Sequence, residues 1–193
     1  MSWLSTTSLE GDFVTLEPLS EEHVSGLKEA VLDGESWQLW FANVPNPESM
    51  LQYVTEAIVD ARKGGIAFAV ICKVTNKIVG TTRFYNVDAK NRRAMLGYTW
   101  YCAAVRRTPV NTECKLLLLK FIFEQCAANA VEFRTHFSNQ ASRKAIERLG
   151  AKQDGIIRSH QIMKDGSIRD TVMYSIISSE WPSVKNQLLS KLG

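Results

Sequence analysis

The sequence predicts an α/β (α+β) domain, one mixed sheet with helices on both of its faces. Three observations carry that expectation. Apolar residues switch repeatedly between a period of two and a helical period, giving the order β-α-α-β-β-β-α-β-α-β-β-α. Turn signals at "VTNK" (74–77) and "KDGS" (164–167) fold neighbouring strands back on each other. No repeat, low-complexity tract or charged linker divides the 193 residues, a length that suits one domain over 1–193.

The elements follow in order. "FVTLEP" (13–18) alternates like a strand and stops at Pro18. Ser20 offers an N-cap to "EEHVSGLKEAVLD", whose first turn is acidic, as the helix dipole prefers. "ESWQLWFANVPNP" reads as an aromatic-rich loop or broken helix. "ESMLQYVTEAIVDARKGG" has helical spacing at 51, 54, 58 and 61 and ends at Gly64–Gly65. Three strands then succeed one another in "IAFAVICKV", "KIVGTTRFYNVD" and "RRAMLGYTWYC". The apolar segment 112–128 is too long for a strand and reads as a core helix. "VEFRTHF" (131–137) places Val131, Phe133, Thr135 and Phe137 on one face of a strand. "NQASRKAIERLG" is a short helix ended by Gly150, strands follow near 154–163 and 168–177, and residues 180–192 form a last amphipathic helix.

Composition excludes several functions. With 45% hydrophobic and 22% charged residues the chain has material for a core, and a net charge of +3 without a dense basic run does not suit a nucleic-acid binder. No basic leader precedes an apolar stretch, and Lys120 and Glu124 break the longest apolar cluster, so neither a signal peptide nor a membrane span is expected. Cys72, Cys102, Cys114 and Cys126 are far apart among apolar neighbours, which fits reduced thiols and a cytoplasmic setting. His23, His136 and His160 lack ligand spacing, and no metal site is expected.

Three stretches can carry chemistry. In "AAVRRTPVNTECK", Arg106, Arg107 and Thr108 precede a helix whose first turn leaves backbone N–H groups unpaired, which favours an anion such as pyrophosphate. The same residues also read as a plain helix start, with Thr108 as N-cap, Pro109 in the first helical position and solvated arginines. In "NQASRKAIERLGA", Asn139 can cap a helix and Ser142 lies one turn in, facing the strand ends. In "RSHQIMKDGSIRDTVMYSI", His160 is a titratable group on a strand, and Arg169–Asp170 can form a structural ion pair.

Taken together, "GYTWY", "RRTPVNTECKLLLL", "NQASRKAIERLGA" and "GSIRDTVMYSI" resemble the GNAT superfamily of acyl-CoA N-acyltransferases over nearly the whole chain. Within it the chain is similar to the branch that acetylates the serine or alanine N-termini of ribosomal proteins. The resemblance implies a mostly antiparallel sheet with a V-shaped opening between the fourth and fifth strands, "MLGYTWYC" and "VEFRTHF". Acetyl-CoA would be the co-substrate, its pantetheine along Thr99, Trp100 and Tyr101. Its pyrophosphate would lie on Arg106, Arg107, Thr108, Val110, Asn111 and Thr112. The family signature Q/R-x-x-G-x-G/A is met by Arg106 but departs at Pro109 and Asn111, which stand where glycine or another small residue is usual. Asn139 and Ser142 match the N-x-x-S pair associated with pantetheine contact and with protonation of the departing thiolate. No acid stands in "RSHQIM", and Met95 replaces an acidic residue, so the base falls to His160 or to a water chain.

Trp37, Trp40 and Phe41 would wall the pocket of an amine acceptor, a peptide N-terminus or a small amine, or else pin their loop to the core. A homodimer is as compatible with the sequence as a monomer. A coenzyme A-binding module without transferase activity and a fold-only interaction protein are the competing readings.

Overall fold

The computed structural model describes residues 3–5, 7–39, 43–163 and 165–193. Eight strands form one sheet: β1 (Leu9–Glu10), β2 (Val14–Pro18), β3 (Ile66–Cys72), β4 (Lys77–Asp88), β5 (Arg93–Tyr101), β6 (Ala130–His136), β7 (Lys152–Ile162) and β8 (Ile168–Ile177). Their spatial order is β1-β2-β3-β4-β5-β6-β8-β7. Every neighbouring pair is antiparallel except β5 and β6. Five helices accompany the sheet: α1 (Val24–Leu32), α2 (Met50–Ala61), α3 (Pro109–Lys120), α4 (Gln140–Arg148) and α5 (Trp181–Ser190).

Consecutive strand residues point to opposite faces, and Thr81 and Thr82 show which helix covers which. Tyr53 of α2 brings its Oη to 3.0 Å from Thr81 Oγ1, whereas Lys115 of α3 reaches toward Thr82 Oγ1 from the other side at 3.5 Å. α5 packs on α3, with the Phe123 and Trp181 rings stacked at 5.4 Å and Trp181 Nε1 donating to Glu124 Oε1 at 2.9 Å. α3 is buried almost all round, through Val110, Cys114, Leu116, Leu118 and Leu119 among others, and a π-turn over Phe121–Gln125 prolongs it. It begins three residues before the apolar run because Thr108 caps it and Pro109 occupies the first helical position.

The two-residue β1 was not anticipated; it is too short to show a period. The predicted opening between the fourth and fifth strands therefore lies between β5 and β6 by count, on the same residues. These two strands pair only at Arg93–Ala130, Ala94–Val131 and Met95–Glu132. Arg93 and Glu132 hold that closed end together as an ion pair. A bulge then turns β5 away. Between the Thr81–Trp100 and Arg83–Gly97 pairs, two residues of β5 oppose one of β4, and Tyr98 takes a left-handed φ of 50°. Among the described residues no helix is long and apolar enough to cross a membrane.

Candidate active site

Where β5 and β6 part, a cleft of about 670 Å³ opens. Its walls are the bulged end of β5 (97–101), the facing stretch of β6 (133–136), the start of α3 and the first turns of α4. With no neighbour strand on this side, the β5 backbone past Met95 presents hydrogen-bonding groups to whatever enters. Thr99, Trp100 and Tyr101 line the cleft.

The start of α3 combines the two readings that the sequence left open. Thr108 is an extended N-cap (φ −104°, ψ 171°), its hydroxyl accepting from Val110 N–H at 3.4 Å. That extended conformation is what a residue before proline prefers, so Pro109 helps to start the helix and removes one N–H donor. Arg106, Arg107 and Asn111 face the cleft, whereas Thr108, Val110 and Thr112 are not among the residues that line it. Thr108 N–H bonds Val105 O at 3.4 Å, Val110 N–H is taken by the cap, and Thr112 stands where the helical ladder begins, so the N–H groups left for an anion are those of Arg107 and Asn111. Arg106 also ties down the loop after α1, donating to Ser36 Oγ at 2.6 Å.

At the start of α4, Asn139 Oδ1 accepts the Ser142 N–H at 3.0 Å, and both side chains face the cleft. His160 sits in a second bulge, on β7, with Nδ1 3.0 Å from Thr171 Oγ1; it is not part of the cleft lining. Of the aromatic loop, Trp37 packs against the core, Asn43 and Val44 line the cleft, and Trp40 and Phe41 lie outside the described residues. The expected Arg169–Asp170 ion pair does not form. Neighbouring strand residues diverge, and Asp170 Oδ1 instead accepts Ser159 N–H at 2.7 Å.

Sequence reasoning passed over Lys115 and Arg134, gave His136 no role and read Arg169 only as half of a structural ion pair, yet all four line the cleft. The signal for Arg134 and His136 was the polar face of "VEFRTHF", opposite the apolar one. Lys115 hid in an apolar helix. It is 6% exposed, donates to Thr99 Oγ1 at 2.8 Å, and meets no carboxylate. Burial holds its ammonium below the usual lysine range. The unfolded chain keeps its proton up to about pH 10.4, so native stability rises as pH climbs from the native value toward that limit. Lys115→Met should therefore melt higher than the parent protein at pH 7, with the two curves converging near about pH 10.4. Equal melting points across that range would show that the amine is stored at no cost.

Residues 14–152 match the family described as acetyltransferase (GNAT) domain. Over 180 residues the chain is 25% identical to YdaF of Bacillus subtilis, whose name assigns it provisionally to ribosomal N-acetylation; the match covers 90% of this chain and 96% of that one. A GCN5-related N-acetyltransferase from Brucella melitensis, known from a crystal structure, superimposes with a TM-score of 0.88 and 27% identity, over 98% of this chain and 87% of that one. RimL, a ribosomal L7/L12 alpha-N-protein acetyltransferase solved in complex with coenzyme A, shares the fold at 19% identity, with a TM-score of 0.74 over 89% of this chain and 98% of that one.

Proposed function

Because the chain belongs to the GNAT acetyltransferase family, we propose that it is an N-acetyltransferase moving an acetyl group from acetyl-CoA to a primary amine by direct attack. The observation that carries this reading is the cleft itself: an unpaired strand edge at β5 runs to a helix start flanked by two arginines. An extended chain ending in phosphates fits that combination, the strand edge taking the chain and the helix start the charge. RimL, whose fold this chain shares, is known with coenzyme A bound.

Coenzyme A, when bound, supplies the acetyl group as a thioester and leaves as a thiolate. The protein's part is then to bind, orient and move protons. Arg106 and Arg107 pair with phosphate oxygens beside the Arg107 and Asn111 N–H groups. Backbone donors at the Tyr98 bulge polarise a carbonyl oxygen. Ser142 Oγ–H faces the cleft and holds the proton that a thiolate needs.

The attacking amine must first lose its own proton. Among the described residues no Asp or Glu lines the cleft. His136 Nδ1 accepts Ser138 N–H at 3.0 Å, which places the neutral ring's proton on Nε2 and leaves no ready base. His160 lies off the cleft, and water at its mouth is the acceptor that remains. The missing carboxylate is also the observation that favours the second reading, a coenzyme A-binding module without turnover.

Calorimetric titration with acetyl-CoA tests the proposal. Micromolar binding is expected, and Pro109→Gly, which restores an N–H, should tighten it by roughly tenfold, the worth of one hydrogen bond to a charged group. Failure of both proteins to bind while folded would refute the coenzyme site. Binding without turnover on any amine would select the second reading.

A further inference from the structure

Among the described residues the cleft is lined by six Lys or Arg and by no Asp or Glu. Those near α3 have phosphates to meet under the reading above. Arg134 and Arg169 do not. They belong to the other face of the sheet, the one covered by α2. Arg134 lies 5.2 Å from the centre of the Tyr85 ring, Tyr85 meets Tyr98 edge-on at 4.9 Å, and Tyr98 carries Arg83 at 4.0 Å, which in turn stacks on Tyr53 of α2 at 4.5 Å.

Arg169 is only 6% exposed, and its Nε donates to Thr171 Oγ1 at 3.0 Å. Neither Arg134 nor Arg169 has a carboxylate within ion-pair distance among the described residues. The nearby acids are already committed, Glu132 to Arg93, Asp170 to the Ser159 N–H, and Asp154 to Ser175 Oγ at 3.0 Å. Two like charges share low-dielectric space, and burial and Arg134 both press the Arg169 guanidinium below its ordinary range. A buried charge without a partner is expensive, and a ligand that brings the partner removes the expense.

An amine acceptor arrives in water as an ammonium ion. A cleft with guanidinium groups and no carboxylate repels such a cation unless the molecule carries a negative group of its own. We infer that Arg134 and Arg169 form the receptor for an anionic group on the acceptor, so that the substrate is a primary amine bearing a carboxylate or phosphate close to the nitrogen. Tyr85, with Tyr98 edge-on beside it, forms the aromatic floor under the Arg134 guanidinium, and Thr171 Oγ1 holds Arg169 by its Nε. The inference rests on the acyl-transfer reading for the word acceptor, but the anion site stands on its own geometry.

The experiment has two readouts on the full chain. Turnover is measured with matched amines: alanine against alaninamide, an aminohexose phosphate against the aminohexose, and a peptide beginning Ser-Glu against one beginning Ser-Lys. The anionic member of at least one pair should be favoured at least tenfold in kcat/KM, and which pair responds tells carboxylate from phosphate and small amine from peptide. Arg134→Gln, at a half-exposed position, and Arg169→Gln should collapse that ratio through KM rather than kcat. In parallel, calorimetry of the same amines on the protein saturated with coenzyme A should show binding of the anionic member that is lost in Arg134→Gln. Anion binding without turnover of any amine would keep the receptor and overturn acyl transfer. Turnover or binding indifferent to the anionic group, or a ratio unchanged in both variants, would overturn the receptor.

Discussion

Glu113→Ala is expected to lower the melting temperature of the protein by about 10 °C, the largest effect of any single side-chain truncation argued for this fold. Glu113 is 5% exposed on α3 and accepts three backbone N–H groups from the turn between β1 and β2: Asp12 at 2.8 Å on Oε1, Phe13 at 2.7 Å and Val14 at 2.8 Å on Oε2. One carboxylate thus closes the turn and fastens the sheet edge to the central helix. Gly11 makes room for it, since a Cβ there would lie 2.4 Å from Glu113 Cδ. Breaking a buried charged network by removing one partner costs about 3–5 kcal/mol, and each kcal/mol moves a domain of this size by roughly 2–4 °C. Glu113→Gln keeps one acceptor oxygen but turns an NH₂ toward backbone N–H groups, so it should recover only part of the loss. Gly11→Ala should share the phenotype by pushing the carboxylate away. Thermal melts of the three variants decide the matter, and an alanine variant within about 2 °C of the parent would mean that the turn finds other acceptors.

Glu113 also shows where sequence reading stops. The stretch "RRTPVNTECK" announces a helix start, because Thr, Pro and the arginines act on their immediate neighbours and their physics is local. Likewise Asn139 and Ser142 were legible, since a cap and its N3 residue are fixed by spacing alone. What Glu113 does depends on residues about a hundred positions away, and no period or spacing carries that. The same limit applies to the cleft. The strand "VEFRTHF" was recognisable by alternation, but whether its polar face meets solvent or a pocket depends on which strand lies beside it and where the pairing ends. Arg169 and Asp170 were read as a pair because they are adjacent, although adjacency on a strand separates side chains onto opposite faces. His160 was chosen as a titratable group on a strand, and the β7 bulge that sets its position leaves no mark in the sequence. Lys115, inside an apolar helix, breaks the pattern that identifies the helix, and such a conflict between local rule and fold is expected beside a functional site.

Ser142→Ala is expected to lower kcat by about 10²-fold, the lower end of what a positioned proton donor contributes, with acetyl-CoA affinity within about twofold of the parent. The substitution is clean in a way that Asn139→Ala is not. The Ser142 backbone N–H that Asn139 Oδ1 accepts at 3.0 Å is unchanged, and alanine is the stronger helix former, so α4 keeps its cap and its start. Asn139→Ala would remove the cap as well and confuse folding with catalysis. The decisive control is the leaving group. A thiol of ordinary acidity, near about pH 8.5, leaves more readily when a proton reaches it, whereas an aryl thioester releases a thiolate that is stable without one. With an acetyl aryl thioester as donor, the alanine variant should therefore recover most of the parent's rate. A loss of the same size with both donors would mean that Ser142 orients the substrate and moves no proton. A full rate with acetyl-CoA would place the proton source elsewhere, with water in the open cleft as the remaining donor. On the roles proposed above, Arg134 and Arg169 in acceptor binding and Ser142 in departure of the thiolate, Arg134→Gln combined with Ser142→Ala should show additive losses, one in KM and one in kcat.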